Sequence, residues 1–297
     1  MSIPMERITS DDQLNEAGFY WREIDGVRAL ICAPLEADGF VNGFSTRLGG
    51  VSEMPASALS LAGFNDDAAE NILENRRRFL KLFQGEWVLA GCWQVHGADV
   101  RVVHTAEEAR PAENQQGETV FCDVIVSNAS GVLAGVKTAD CVPILLGDHV
   151  TGAFAAVHAG WRGTLATAVI GAVKRLTEEY GARPENLRVA IGASAGSCCY
   201  EVGSDVIDAF TSRFVGGDKL FTPTRPGHAL VDLLQANRDQ LVSAGVRLER
   251  IHTAPICTMC RTDLFFSYRK EKSLHGKVGR LMAVVGRQST DFTDSPA

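Results

Sequence analysis

The sequence predicts a single-domain α/β protein of the α+β type, in which layered sheets are flanked by helices. Many short apolar runs typical of strands are spread along the 297 residues, whereas few segments show helical periodicity. Strands and helices do not alternate regularly, which argues against a series of βαβ units. No repeat and no linker rich in Pro, Gly or Ser divides the chain. We therefore expect one domain over residues 1–297.

The first half of the chain contains short strands and one amphipathic helix. Apolar residues recur at helical spacing between residues 66 and 83, which predicts a helix with one buried face. The remaining apolar runs in this half are short and are separated by polar or turn residues, as expected of strands. These runs predict strands at 28–33, 40–45, 87–95, 99–104 and 123–127.

Three apolar runs lie close together at 131–137, 142–146 and 152–158. Such continuous runs suit strands that are buried on both faces. Residues 164–180 have the clearest helical pattern, and Gly181 provides a C-terminal stop. Further helices are predicted at 204–214 and 230–244, and short strands near 187–191, 250–254, 264–268 and 280–286.

The composition excludes several classes of partner. The net charge is −7, and no basic cluster is longer than Arg76–Arg78, so we expect no nucleic-acid binding. No apolar run reaches the roughly 18 residues of a membrane helix, so we expect no membrane partner. Residues 1–12 are polar and acidic and do not resemble a secretory signal. We therefore expect a cytoplasmic protein whose eight cysteines are reduced.

Three residues form a candidate metal site. His96, Cys141 and His158 each end or border an apolar strand, and each lies in a dense local motif. Loops that leave strand ends can converge on one pocket. Two imidazoles and one thiolate suit zinc, and three protein ligands leave a fourth position for water or substrate. The three residues therefore predict a catalytic rather than a closed structural metal site.

Basic and acidic residues near these motifs predict anion binding and proton transfer. The turn from Ala159 to Gly163 joins a predicted strand to a helix, and Arg162 in it adds a donor suited to phosphate or carboxylate. Arg47, in a Gly-rich segment, is a second candidate anion contact. Asp140 precedes Cys141 directly and is a candidate acid or base.

The remaining cysteine motifs do not predict a metal site. Cys257 and Cys260 have the spacing of half a zinc ribbon, but no second pair with this spacing is present. Cys198 and Cys199 are adjacent in sequence, which is a poor arrangement for chelating one ion together. From the sequence we therefore expect no metal at these four cysteines.

Five motifs together resemble one protein family in matching order. They are Gln94–Gly97, Thr138–Cys141, His158–Gly163, Cys199–Val202 and Asp263–Arg269. The family is that of purine nucleoside phosphorylases once called laccase-domain proteins or polyphenol oxidases, also described as peptidoglycan editing factors. The resemblance covers roughly residues 42–286. Where the family commonly reads Gly-Pro-x-Ile-Gly, this chain has Gly192-Ala-Ser-Ala-Gly196, so the preferred base is open.

The resemblance implies a layered fold similar to the catalytic domain of a toxin deamidase. It implies a zinc ion at His96, Cys141 and His158, with copper bound only adventitiously. It also implies phosphorolysis of adenosine, inosine, guanosine and methylthioadenosine, and deamination of adenosine. Purine nucleosides and phosphate are then the partners of a monomer or homodimer. Within this scheme Arg47 and Arg162 would bind anionic groups, and Asp140 or Glu201 would transfer protons.

Three alternatives remain open from the sequence. His₂Cys is also a copper ligand set, which would allow phenol oxidation, although the seven histidines contain no His-x-His pair. Cys141 could instead be the nucleophile of an amide hydrolase that edits peptidoglycan precursors, with His158 or His96 as its base. The third alternative is a binding protein without catalytic activity.

Overall fold

The computed structural model describes residues 10–53, 58–63, 66–109 and 120–288. Within the described residues fifteen β-strands form three sheets, and the strands are numbered in chain order. The first sheet has six strands and is antiparallel except where its edge strand β4 runs parallel to β7. In spatial order the strands are β1 (Phe19–Ile24), β2 (Val27–Cys32), β3 (Phe40–Ser45), β15 (Leu281–Arg287), β7 (Val132–Thr138) and β4 (Val88–Ala90).

The second sheet also has six strands, and it carries two of the candidate ligands. Its four central strands are antiparallel, and a parallel strand is added at each edge. In spatial order the strands are β14 (Ile251–Thr253), β10 (Leu187–Ile191), β8 (Val142–Asp148), β9 (Phe154–Ala159), β6 (Val124–Ser127) and β5 (Val100–Val103).

A smaller antiparallel sheet and the helices complete the described structure. The small sheet contains β11 (Glu201–Gly203), β13 (His228–Val231) and β12 (Phe221–Arg225) in that spatial order. None of the described helices is long and apolar enough to span a membrane. The helices are α1 (Asp11–Glu16), α2 (Ala33–Ala37), α3 (Ala69–Leu80), α4 (Trp161–Leu165), α5 (Ala168–Tyr180), α6 (Ser204–Arg213), α7 (Leu233–Ser243) and α8 (Tyr268–His275).

The two large sheets pack face to face and enclose the main core. Phe44 and Val136 of the first sheet share one apolar cluster with Leu145 and Ala156 of the second. On β8 the neighbours of Leu145 point to the opposite face and pack with α5, as the two-residue repeat of a strand requires. Helix α3 covers the outer face of the first sheet. The layers therefore run helix, sheet, sheet, helix, as expected for a layered α+β protein.

The predicted elements agree with the structure in part. The three apolar runs are the buried strands β7, β8 and β9, as predicted. The single helix predicted at 164–180 is wrong, because Thr167 adopts a left-handed conformation (φ 60°) and separates α4 from α5. The strand predicted at 264–268 is also wrong: Leu264 and Phe265 are buried, but their amides bond to the Arg261 carbonyl in a turn.

Other predictions were incomplete. The strand predicted at 87–95 is limited to Val88–Ala90, and the strand Phe19–Ile24 was not predicted. The expectation of a single domain over residues 1–297 remains a prediction. Residues 1–9 and 289–297 lie outside the described part of the chain.

Candidate active site

Strands β8 and β9 bring Cys141 and His158 together. In this antiparallel pair Pro143 faces His158 and Val142 faces Ala159. Cys141 immediately precedes β8, so its thiol lies at the end of the sheet where β9 carries His158. Seventeen residues separate the two ligands in sequence, yet one hairpin makes them neighbours. The side chain of His158 is buried, and that of Cys141 is half-buried.

Asp123 fixes the orientation of the His158 ring. It lies just before β6, the strand that pairs with β9 on the side away from β8. Its buried carboxylate Oδ1 lies 2.7 Å from His158 Nδ1. Because a carboxylate faces Nδ1, that nitrogen carries the proton, and Nε2 is left as the metal-binding or proton-accepting atom.

The same carboxylate also holds the loop that carries His96. It accepts three backbone N–H groups, from Val95 at 3.2 Å, His96 at 3.1 Å and Gly97 at 2.6 Å. His96 adopts a left-handed conformation (φ 62°), which is uncommon for a residue with a Cβ atom. Backbone strain of this kind persists where several contacts fix the chain, and it is frequent at functional sites.

Gln94 provides a second anchor for this loop. Its side-chain amide donates to the Lys137 carbonyl at 2.7 Å and accepts the Lys137 amide at 2.8 Å. Lys137 belongs to β7, so these two bonds tie the His96 loop to the first sheet. The candidate site is therefore built where the two large sheets meet.

The ligand atoms of His96, Cys141 and His158 all lie within 4.8 Å of one another. The two imidazole rings are nearly perpendicular, at 75°, with their centroids 5.0 Å apart. The structure thus brings together the three residues that the sequence predicted as ligands. Among the residues that the structure describes, no fourth side chain joins these three donors, which matches the open sites in which zinc holds water or substrate.

The charges in the site favour a thiolate. Desolvation by burial acts to raise the pKa of Cys141, but the nearby imidazoles of His158 and His96 outweigh it and lower that pKa to about 6. Burial acts to lower the pKa of His158, but the Cys141 thiolate and Asp123 raise it to about 9. Cys141 is therefore ionised at neutral pH, which is the form that binds a metal ion. The donor set fits zinc, and it also suits copper.

Gly160 allows the close approach of the ligands. A Cβ atom at this position would lie 2.8 Å from Cys141 Sγ and 3.4 Å from His96 Cδ2. The first distance is shorter than any normal contact of a side-chain carbon. Glycine is therefore required here by the space that the ligands occupy and not by an unusual backbone angle.

The three candidate ligands line a cavity of about 550 Å³. This volume suits a ligand of nucleoside size. The lining combines three basic side chains with two aromatic rings, an arrangement that can bind an anion and stack a flat heterocycle. The lining residues are Gly63, Asp66, Trp93, Gln94, His96, Lys137, Thr138, Ala139, Cys141, His158, Arg162, Tyr268 and Arg280.

Arg162 lines this cavity, whereas the structure places Arg47 elsewhere. Arg162 is exposed and its guanidinium lies 4.3 Å from the centre of the Trp161 ring. Arg47 lines a neighbouring cavity and pairs with Glu271 at 2.9 Å. It also donates to the Thr262 carbonyl. Since its charge is already paired, its role in anion binding stays a prediction.

Asp140 is close to the ligands in sequence, but its carboxylate is occupied. Oδ1 accepts the Thr258 hydroxyl at 2.6 Å, and Oδ2 accepts the Ser267 hydroxyl at 2.9 Å and the Arg269 amide at 2.7 Å. Burial raises the pKa of Asp140, although these hydrogen bonds oppose the rise. Glu201, the other proton-transfer candidate, pairs with Arg225 at 2.8 Å.

Sequence reasoning missed several residues of the site. Asp123 begins the apolar run 123–127, and an acidic residue at the start of a buried strand was the available signal. Trp93 and Lys137 directly precede the motifs of His96 and Cys141, and this position was the available signal for both. Arg280 reaches the cavity from a segment distant in sequence. Tyr268 belonged to a recognised motif, but the sequence did not show that its ring lines the cavity.

Comparisons with known proteins agree on one family. A sequence model described as "Multi-copper polyphenol oxidoreductase laccase" matches residues 41–288. The chain is 35% identical over 265 residues to a purine nucleoside phosphorylase YlmD from Geobacillus stearothermophilus, covering 87% of this chain and 94% of the relative. It is also 34% identical over 233 residues to an adenosine deaminase RL5 from an unknown prokaryotic organism, covering 77% and 88% respectively.

A solved structure shows the same fold. The crystal structure of YlmD from Geobacillus stearothermophilus superposes with a TM-score of 0.81 at 33% identity, and the alignment covers 90% of this chain and 98% of that one. The predicted likeness to a toxin deamidase domain stays a prediction. With most of its length matched in both sequence and fold, the chain belongs to the laccase-domain family of YlmD and related purine nucleoside phosphorylases.

Proposed function

We propose that the protein is a zinc-dependent purine nucleoside phosphorylase that also deaminates adenosine. Adenosine, inosine, guanosine and methylthioadenosine are the proposed nucleosides. One observation carries the proposal: the open group of His96, Cys141 and His158 lies in a cavity that also contains basic and aromatic side chains. The names of the relatives support both reactions, since one is a purine nucleoside phosphorylase and another an adenosine deaminase.

In phosphorolysis, a phosphate oxygen forms a bond to C1′ of the ribose while the bond from C1′ to the purine breaks. Lys137, Arg162 and Arg280 line the cavity and supply the positive charge that phosphate binding requires. The rings of Trp93 and Tyr268 offer flat surfaces on which a purine can stack. The leaving purine carries the electrons of the broken bond and needs a proton.

His96, Cys141 and His158 would hold the zinc ion, which would act as a Lewis acid and lower the pKa of a bound water. The chain's own residues prepare this site, because Asp123 orients His158 and holds the His96 loop. In deamination, water adds at C6 of adenine and ammonia leaves. A proton must therefore move from the oxygen of the attacking water to the departing amino nitrogen. Asp140 and Glu201 remain the predicted proton carriers.

Asp66 adds a carboxyl group to the lining of the cavity. Asp66 is therefore an alternative to Asp140 as the proton donor to the leaving purine. Replacing each residue in turn distinguishes the two. If Asp140 transfers the proton, Asp140→Asn lowers kcat while Thr258→Val, which removes only a hydrogen bond to it, does not. Equal losses in both variants would assign Asp140 a positioning role, and a loss confined to Asp66→Asn would move the proton transfer to Asp66.

Product analysis tests the proposed function directly. Purified protein is incubated with adenosine, with and without phosphate, beside His96→Ala and the control His104→Ala, which changes an exposed histidine outside the cavity. Adenine and ribose 1-phosphate that form only with phosphate, and are absent with His96→Ala, support phosphorolysis. Inosine that forms without phosphate supports deamination. No purine product in any reaction overturns the proposal.

A cysteine-type amide hydrolase is the second candidate, and the relation of Cys141, His158 and Asp123 favours it. A thiolate of lowered pKa next to an imidazole that a carboxylate orients is also the arrangement of cysteine hydrolases. Iodoacetamide separates the two candidates. A hydrolase loses activity as Cys141 is alkylated in protein purified with its metal, whereas a bound zinc ion protects the thiolate.

A further inference from the structure

Four cysteines that the proposed reaction does not use form a second cluster. Cys198 and Cys199 lie in a turn before β11, and Cys257 and Cys260 lie in a turn after β14. Their sulfur atoms all lie within 4.8 Å of one another. Neither pair predicts the other, because 58 residues separate Cys199 from Cys257 and adjacent cysteines are poor chelators in an extended chain.

The distances fit four thiolates around one ion. Cys199 Sγ is 3.3 Å and Cys198 Sγ is 3.7 Å from Cys260 Sγ. Tetrahedral zinc–sulfur bonds of about 2.3 Å place pairs of sulfur atoms about 3.8 Å apart. A disulfide would require about 2.05 Å between sulfur atoms. The spacing therefore matches a shared metal ion and not a covalent pair.

The backbone of both turns is arranged to present the sulfur atoms. The amides of Cys199 and Tyr200 both donate to the Gly196 carbonyl, at 3.0 Å and 2.9 Å, and this tight turn directs two adjacent thiols to the same side. In the second turn the amides of Cys260 and Arg261 both donate to the Cys257 carbonyl at 3.1 Å. The Gly196 amide donates to Cys257 Sγ at 3.3 Å, and this hydrogen bond joins the two turns directly.

We propose that Cys198, Cys199, Cys257 and Cys260 bind one zinc ion as a closed structural site. Four protein sulfurs leave no position for substrate, which distinguishes this site from the open group of His96, Cys141 and His158. Cys257 is fully buried and Cys198 is exposed, so the ion would lie at the edge of the fold. The site does not depend on which reaction the enzyme performs.

Residues beside the four cysteines hydrogen-bond to Asp140, next to the candidate ligand Cys141. Thr258 lies between two of the cysteines and donates its hydroxyl to Asp140 at 2.6 Å. The Ala195 amide donates to the Asp140 carbonyl at 2.8 Å. Asp140 adopts a left-handed conformation (φ 86°) directly before Cys141. A metal ion that joins the two turns would thus hold two of the groups that bond to Asp140, the residue next to the candidate ligand Cys141.

Metal analysis of the full-length protein tests the second site. We expect two zinc ions per chain in the wild type, one in Cys141→Ser and one in Cys257→Ser. Cys32→Ala is the control, because this buried cysteine belongs to neither group. X-ray absorption of Cys141→Ser should show only sulfur ligands, near 2.3 Å. A single zinc ion in the wild type that Cys141→Ser removes would overturn the proposal, as would nitrogen ligands in that variant.

Two further measurements keep the test decisive. Should Cys257→Ser not fold, Cys141→Ser still reports on the intact cluster, and Cys198→Ser removes only the exposed ligand. We expect Cys198→Ser to lose one zinc ion to a chelator sooner than the wild type does. A disulfide between Cys199 and Cys260 in freshly purified protein contradicts the proposal. Inactivity towards nucleosides would not change the zinc count of Cys141→Ser, so the two proposals fail separately.

Discussion

The carboxylate of Asp123 lies 2.7 Å from Nδ1 of His158 and also accepts the backbone amide of His96. One buried side chain thus orients two of the three candidate ligands, the first through its ring and the second through its loop. Partners of this kind in metal sites fix the tautomer of a histidine and raise its basicity. The effect of losing Asp123 should therefore appear in metal binding more than in folding.

Replacing Asp123 by Asn should weaken metal binding at the open site by roughly 10-fold to 100-fold. The amide has one oxygen to accept hydrogen bonds, so it cannot serve His158 and three backbone amides together. Competition with a chelator of known affinity measures the change. Asp148→Asn is the matched control, since Asp148 is equally buried but its carboxylate accepts from Val150 and Thr151 of its own turn and not from the candidate site. Equal affinities in both variants would contradict the assigned role.

Gly160→Ala should displace the ligands and lower kcat/KM by roughly 100-fold, because small misplacements of catalytic groups are costly. The added methyl would lie 2.8 Å from Cys141 Sγ, so the thiol must move. Gly91→Ala is the control, as nothing lies within 4 Å of a Cβ atom at that position. For Gly91→Ala we expect the free energy of unfolding to change by no more than about 0.5 kcal/mol. Full activity of Gly160→Ala would show that the site tolerates a shifted thiol.

The pH dependence of alkylation should reveal the ionisation of Cys141 in metal-free protein. Because the neighbouring imidazoles lower its pKa to about 6, the thiolate forms as pH rises through 6 and is lost below it. The rate with iodoacetamide should therefore reach half its maximum near pH 6. Cys32 provides the contrast, since burial raises its pKa to about 12 and keeps it as a thiol. His158→Gln should move the midpoint for Cys141 towards higher pH, and an unchanged midpoint contradicts the imidazole effect.

Arg162→Gln should raise the KM for phosphate about tenfold while changing the KM for adenosine less. The guanidinium lines the cavity and lies over the Trp161 ring, 4.3 Å from its centre, where it can donate to an anion. Arg175→Gln is a suitable control, because Arg175 lies on the surface of α5 and pairs with Glu179. Steady-state kinetics with each substrate varied in turn measures both constants. Equal rises in both KM values would indicate a general disturbance of the cavity.

The grouping of the three candidate ligands could be predicted because each one is marked by its local sequence. His96, Cys141 and His158 follow or precede apolar runs that suit buried strands, and strand ends commonly carry such groups. Asp123 was not predictable in the same way. Its contact with His158 depends on β6 pairing with β9, which is a relation between segments 35 residues apart. The break at Thr167 was missed because the apolar stripe continues across it.

The cluster of four cysteines is a second case in which a contact between distant segments could not be predicted from the sequence. Each pair looks unsuitable for metal binding by itself, and only the three-dimensional arrangement brings the turns together. The strand prediction for residues 264–268 was wrong for a different reason. Its buried phenylalanines predicted a strand, but burial alone does not specify backbone conformation.

The hairpin formed by β8 and β9 also has a consequence for the order in which the site is assembled during folding. Its strands are joined by a tight turn in which the Gly152 amide bonds to the Asp148 carbonyl. Closing so short a loop costs little entropy, and local contacts of this kind form early in folding. Cys141 and His158 can therefore meet while much of the chain is still unfolded. We expect His96 to join them later, once β6 has paired with β9 and brought Asp123 beside its loop.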